Sequence, residues 1–355
     1  MSRRLTPQST LENLKREAKR WLKALRTNDP AARARLERAL PRPSAAPTLR
    51  DVQHALAREH EFPGWTELAA QVSAIEQSRG EADALLIASL LAAANRGDAA
   101  QVATLLDAHP ELVNARAALP GHIGKRTALH FAMSSLDEAT VDVLLAHGAD
   151  PNIRDEGDNA YPIHFAAERG HLGIVRKLVE HGADPIGDGT THELSVIGWA
   201  ACFPDPPKYD VVEYLLAHGA RHSVVSAAAV GATDAIRAAV AERPDDLNRP
   251  MDRTNHLRTP LHHAVVKRQL GSLETLLALG ADVELRDAAG LTPLDQAALD
   301  NETAMVGALL AHGARIELPA AVALGRTIDV ERLLGEDPGA LRPGGRCGTL
   351  IVHAA

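Results

Sequence analysis

Apolar residues along most of this chain recur on a helical rather than an alternating period, and they come in pairs of short stretches. A fixed ruler describes the pairs. From the start of one apolar stretch to the first paired apolar residue of the next, Ala88 and Leu105, Thr127 and Leu144, Tyr161 and Leu178, His222 and Ala239, Thr259 and Leu276, Thr292 and Leu309, and Ile316 and Leu333 all stand 17 residues apart. Ser195 and Leu215 stand 20 apart, because Pro204-Asp-Pro-Pro-Lys208 adds three residues. A constant ruler predicts a constant helical hairpin, whose two helices present matching apolar faces to the neighbours on either side. The expected fold class is therefore all-α, a solenoid of helix-turn-helix units.

The pattern before Ala88 is helical without being repetitive. Leu11, Leu14, Ala18, Leu22 and Leu25 mark one face of a first helix. Asn28-Asp-Pro30 ends it and starts a second, and Pro41 to Pro47 breaks the chain before a third, with Thr48 as its cap and Asp51 near its positive end. Phe62-Pro-Gly-Trp65 turns into a fourth helix through Leu68 and Val72. The expected division is a helical, basic region over 1–80 and a repeat domain over 84–355. Its repeats start near 88, 127, 161, 195, 222, 259, 292 and 316, with an incomplete one at 349.

The repeats carry a recognisable motif: Thr127-Ala-Leu-His-Phe-Ala, Thr259-Pro-Leu-His-His-Ala and Thr292-Pro-Leu-Asp-Gln-Ala, each followed by Leu-Leu-Ala-x-Gly-Ala. They resemble ankyrin repeats, with the T-P-L-H-x-A signature intact at Thr259 to Ala264. The run Ala57-Arg-Glu-His-Glu-Phe-Pro-Gly-Trp65 resembles a helical extension that precedes such repeats in bacterial proteins. The resemblance implies short β-hairpin fingers between hairpins, stopped by the Gly of each His-Gly-Ala, and imidazoles at His130, His164 and His262 that bond backbone in adjoining turns. It also implies a protein-binding scaffold. Two connections, Leu216 to His222 and Leu310 to Ile316, are too short for a finger.

Charge and candidate chemistry narrow the function. Residues 1–50 hold 13 Lys or Arg against 4 Asp or Glu, while 51–355 hold 25 against 42. The basic first helices suggest nucleic acid as one alternative partner class, but Glu12 and Glu17 interrupt the positive face and no helix-turn-helix spacing supports it. Cys202 and Cys347 lie far apart without metal spacing, no apolar run reaches membrane length, and the start lacks a signal peptide's apolar core. A cytoplasmic monomer without cofactor or metal is expected. His147, His181, His218 and His312 fall in last helical turns, where they bond free carbonyls. No serine sits in a nucleophile elbow and no Gly-rich phosphate loop is present.

Binding then falls to the fingers, as variable loops on a rigid scaffold. The candidate partner-binding residues are His122 and Arg126 in one long finger, Arg253, His256 and Arg258 in another, and Asp155, Glu156 and Asp158 between them, with Tyr161 behind. The three carboxylates are expected to project freely, to attract a protein with a basic segment, and to be reversible to lysine without loss of stability. The reading is a non-enzymatic interaction scaffold binding its partner on the concave face. The enzymatic alternative places an active-site cleft at a short-finger junction.

Overall fold

The computed structural model describes residues 4–6, 9–250 and 257–337. The expected incomplete repeat at 349, Cys347, and the finger residues Arg253 and His256 lie outside them. The chain divides into two compact units, Met1–Ser89 and Leu90–Ala355.

The first unit holds α1 (Leu11–Arg26), α2 (Pro30–Ala39), α3 (Leu49–Glu59) and most of α4 (Trp65–Arg96). The predicted apolar face of α1 is buried through Leu14, Ala18, Leu22 and Leu25, joined by Trp21, against Leu36, Val52, Leu56 and Leu68. Asp29 caps α2, and Thr48 and Asp51 form a reciprocal capping box on α3. Trp21 Nε1 donates to Ala32 O at 3.0 Å, while the Arg35 guanidinium lies over the indole ring, 3.8 Å from its centroid, and pairs with Glu17 and Glu59. No helical break separates the fourth predicted helix from the first repeat. The stretch between is rich in Ala, Glu, Gln and Leu and holds only Gly80 against helix, a cost of about 1 kcal/mol.

In the second unit, the end of α4 and α5 (Ala99–Ala108) form the first hairpin. There follow α6 (Ala128–Ser135) with α7 (Glu138–Ala146), α8 (Pro162–Arg169) with α9 (Leu172–Glu180), and α10 (Val196–Cys202) with α11 (Tyr209–Ala217). Then come α12 (Val224–Val230) with α13 (Thr233–Glu242), α14 (Pro260–Val266) with α15 (Leu270–Ala278), α16 (Pro293–Leu299) with α17 (Thr303–Ala311), and α18 (Leu318–Ala323) with α19 (Thr327–Glu336). Equivalent residues are buried in repeat after repeat. Leu129, Ile163, Ile197, Val225, Leu261 and Leu294 are buried in successive first helices, and Ala132, Ala166, Ala200, Ala228, Ala264 and Ala297 line up one turn on, small enough to let those helices pack closely. In the two repeats after a short connection the helix caps are Ser223 and Glu317, one residue beyond the ruler positions His222 and Ile316.

The signature residues stitch neighbours together. In α6, His130 Nδ1 accepts from the Thr127 amide, so its Nε2 carries the hydrogen and donates to Ala160 O in the next finger, 3.1 Å away. His164 repeats this toward Gly187 O at 2.8 Å and His262 toward Leu291 O at 3.0 Å. Burial pushes His130 and His164 down to about 4, so both are neutral. His147, His181, His218 and His312 each set Nδ1 against the carbonyl four residues back. Among the described residues the finger strands reduce to one bridge, Ala117 with Arg126; the other fingers are held by turns and side chains.

Candidate partner-binding face

First helices bond the fingers that follow them through His130, His164 and His262, and the predicted site residues divide there into clasp and surface. Arg126, at the base of its finger, sets Nε 3.0 Å from Asp155 Oδ2 in the next finger. The other oxygen of Asp155 accepts from the amides of Asp158 and Ala160 at 3.2 and 2.9 Å, and the side chain has no exposed surface. Asp155 therefore does not project toward a partner, contrary to expectation: a turn that exposes its other groups turns this one inward to hold itself closed. The arrangement recurs further along the stack. Asp287 is buried, accepts from the amides of Ala289 and Leu291, and faces Arg258 at 4.0 Å. Spacing carried the signal, since Arg126 to Asp155 and Arg258 to Asp287 are both 29 residues.

Asp158 is half-buried between His192 and Arg126. Its oxygens lie 3.5 Å from His192 Nε2 and 3.2 Å from Arg126 Nη2, and the His192 ring, more than Arg126, holds its carboxyl below the usual carboxylate range. Glu156 stays exposed, with Arg116 at 3.9 Å. Tyr161 is half-buried under the Arg154 guanidinium, 4.1 Å from its ring centroid. His122 packs edge-on against Phe131 at 5.0 Å. The free acidic surface expected of this finger is thus reduced to Glu156.

A different centre lies beside it, which the sequence reading passed over. Trp199 in α10 is ringed edge-on by His164, Phe165, His192 and Phe203, with centroids 5.1–5.4 Å away. Its buried Nε1 has no hydrogen-bond partner among the described residues. The Arg126 guanidinium lies over Phe165 at 4.7 Å. One turn after Phe165, Glu168 is half-buried with no hydrogen bond or ion pair among the described residues, and burial pushes its carboxyl up, with Asp158 adding to the rise.

The sequence pattern of the ankyrin repeat family, described as ankyrin repeats in three copies, matches residues 129–226 and 225–320. The chain belongs to the ankyrin repeat family. Among curated proteins it is 29% identical over 180 residues to ZDHHC13 of Danio rerio, a protein named as a palmitoyltransferase, a match covering 47% of this chain and 26% of that one. It is 35% identical over 92 residues to the ankyrin repeat protein FPV031 of Fowlpox virus, covering 26% of each. It is 30% identical over 111 residues to the palmitoyltransferase AKR1 of Lachancea kluyveri, covering 31% of this chain and 15% of that one. The chain thus spans about a quarter or less of these relatives. The human ASB11 ankyrin repeat domain aligns at 24% identity and a TM-score of 0.37, over 54% of this chain and 85% of that one. No described helix is long and apolar enough to cross a membrane.

In this ankyrin stack the two short connections leave gaps where fingers would stand. The first gap, after α11, is a cleft of about 650 Å³ between the finger ending at Ser195 and the chain at Asp246 to Arg249. Arg249 closes one side, with Nη2 2.9 Å from Glu193, and Asp246 is held between Arg243 and Arg249. The second gap, after α17, measures about 520 Å³ and is lined by the equivalent residues Ala314, Arg315, Ile316 and Glu317.

Proposed function

We propose that this chain is a non-catalytic ankyrin module that holds a protein partner against the face of its fingers and first helices, where a basic side chain of the partner meets Glu168. The observation that carries the reading is Glu168 itself: half-buried, unpaired and raised by its burial beside an aromatic cluster. Leaving a carboxylate in this state costs stability, and a bound cation with an aromatic floor offsets that cost. The basic partner segment expected from Asp155, Glu156 and Asp158 is kept, with its point of contact moved to Glu168.

The enzymatic alternative gains nothing from the first cleft. Its imidazole, His222, faces Ser226 Oγ at 3.2 Å, and Ser226 is fully buried, out of reach of a substrate. Asp246 is committed to two arginines rather than to that imidazole. Acyl transfer, suggested by the names of two relatives, has no accessible thiol among the described residues, Cys202 being buried.

The test compares affinity capture by the unaltered chain, by Glu168→Lys and Phe203→Ala, and by a control reversal at Glu213 and Glu274 on the second helices. Both finger-face variants are expected to lose a protein that the control retains. Equal recovery by all baits places the partner elsewhere.

A further inference from the structure

The two short connections end in the same seven residues, Leu-Leu-Ala-His-Gly-Ala-Arg, yet their final arginines differ in circumstance. Arg315 is satisfied within the stack: its amide donates to Glu284 Oε1 at 2.9 Å and its guanidinium pairs with Glu284 Oε2 at 3.2 Å. Its neighbours are satisfied too, Glu317 by Arg286 at 2.5 Å and Arg332 by Glu336 at 2.9 Å. Glu284 lies two residues after Asp282, on a turn whose amide bonds that aspartate at 2.9 Å. The first junction keeps this turn, with the Ile186 amide 2.9 Å from Asp184, but places Ile186 where the second has glutamate. Arg221 therefore has no carboxylate, and among the described residues its guanidinium makes no hydrogen bond or ion pair. Ile186, 43% exposed, lines the same cleft.

We propose that the first cleft is a docking slot for an extended segment of a partner protein, whose acidic side chain pairs with Arg221 while an apolar side chain packs on Ile186. The missing finger explains the shape. Each finger normally stacks on its neighbour, so its absence leaves the cleft of about 650 Å³, lined by Ser223 at the start of α12 and by the preceding finger. A segment lying there restores the missing layer, and a carboxylate beside an apolar residue supplies what the Ile186 position withholds from Arg221. A guanidinium takes a carboxylate in two parallel hydrogen bonds, which fixes the register of the segment as well as its charge. Asp188 and Glu242 at the rim of the cleft, also without ion pairs among the described residues, select against segments that are acidic throughout. The second cleft, with its charges already paired, is the built-in contrast. The slot rests on the reading that this chain binds protein, but not on Glu168.

The probe is a phage-displayed library of random linear peptides panned against the whole chain, with enriched peptides measured by fluorescence anisotropy. Enrichment of peptides with Asp or Glu beside an apolar residue is expected. Arg221→Glu should weaken them about tenfold or more, and replacing the peptide's acid by Lys should recover part of that loss. Inserting the finger sequence Val283 to Leu291 between Arg221 and His222 should abolish binding while the thermal midpoint is retained. Arg221→Glu, an exposed change, keeps the test open if the insertion misfolds. Peptides weakened by Glu168→Lys but indifferent to Arg221→Glu would overturn the slot and leave the proposed function standing. Failure to enrich any peptide sensitive to either variant would overturn both.

Discussion

Arg126 reaches from one finger to the next to place its guanidinium 3.0 Å from Asp155, a carboxylate with no exposed surface. This pair is part of the fold, so reversing the charges of the finger is not a neutral experiment. Arg126→Ala leaves Asp155 buried and unpaired and should cost about 3–5 kcal/mol. Asp155→Asn, which keeps the two turn hydrogen bonds and drops the charge, should cost less. Urea unfolding of the two variants gives the comparison, and equal small losses would show that the clasp contributes little.

Acid should loosen the stack through its buried imidazoles. His130 and His164 are held down to about 4, against an ordinary value of about 6.5 in the unfolded chain. Between those values the unfolded chain binds protons that the folded chain does not, so stability falls as pH drops through that window. Melting temperatures at pH 7.5, 5.5 and 4.5 should decline accordingly. A His164→Gln variant, weaker at pH 7.5, should decline less steeply. Parallel curves would remove the imidazoles as the cause.

Asp295 occupies the signature position that His130, His164 and His262 fill elsewhere. It accepts from the Thr292 amide and hydroxyl at 3.1 and 2.9 Å, and from the Ala320 amide at 3.1 Å. Asp295→Ala should cost about 2–3 kcal/mol by stranding buried donors. Asp295→His should rescue none of it, because the imidazole N–H would meet the Ala320 N–H. Chemical denaturation of both variants decides the matter, and a well-folded His variant would disprove the donor-matching argument.

Glu168 should show opposite effects on stability and binding. Its carboxyl is raised in the folded chain, so the charged form is disfavoured there, and the disadvantage grows as pH rises through the folded value. Glu168→Gln is expected to raise the melting temperature at pH 7.5 by about 1–2 °C, discounted for partial exposure. The same change should weaken the captured partner. A lower melting temperature would mean that the charge has a stabilising partner in the free protein.

The hairpins were legible because helical period, cap residues and Gly-Ala stops all point to the same local structure. So was the stitching by His130, His164 and His262, since that residue type has one role at that place in the motif. Asp155 was misjudged for a physical reason. Asp-Glu-Gly-Asp reads as exposed turn chemistry in any local window, and what buries its first carboxylate comes from Arg126 in the preceding finger. Glu168 and the rings around Trp199 were missed likewise: α8 and the finger of His192 contribute as much as α10 does, and no single stretch shows the cluster. The slot at Arg221 was half visible. The short connections could be counted, but that Ile186 stands in the place of Glu284 emerges only when the two turns are compared.

The fourth signature position also decides how the stack answers tension. His130, His164, His262 and Asp295 each carry a hydrogen bond into the following repeat, whereas Gly198 offers no side chain to cross from α10 toward α12. Ser226, at the same position in α12, bonds only His222 and Ser223 among the described residues. Pulled along its axis in an optical trap, the repeat array should therefore part first at one of these two seams, the first of them latched by the Glu193–Arg249 contact. A segment seated beside Arg221 would bridge both sides of the first seam, so its presence should be read out as a higher rupture force there.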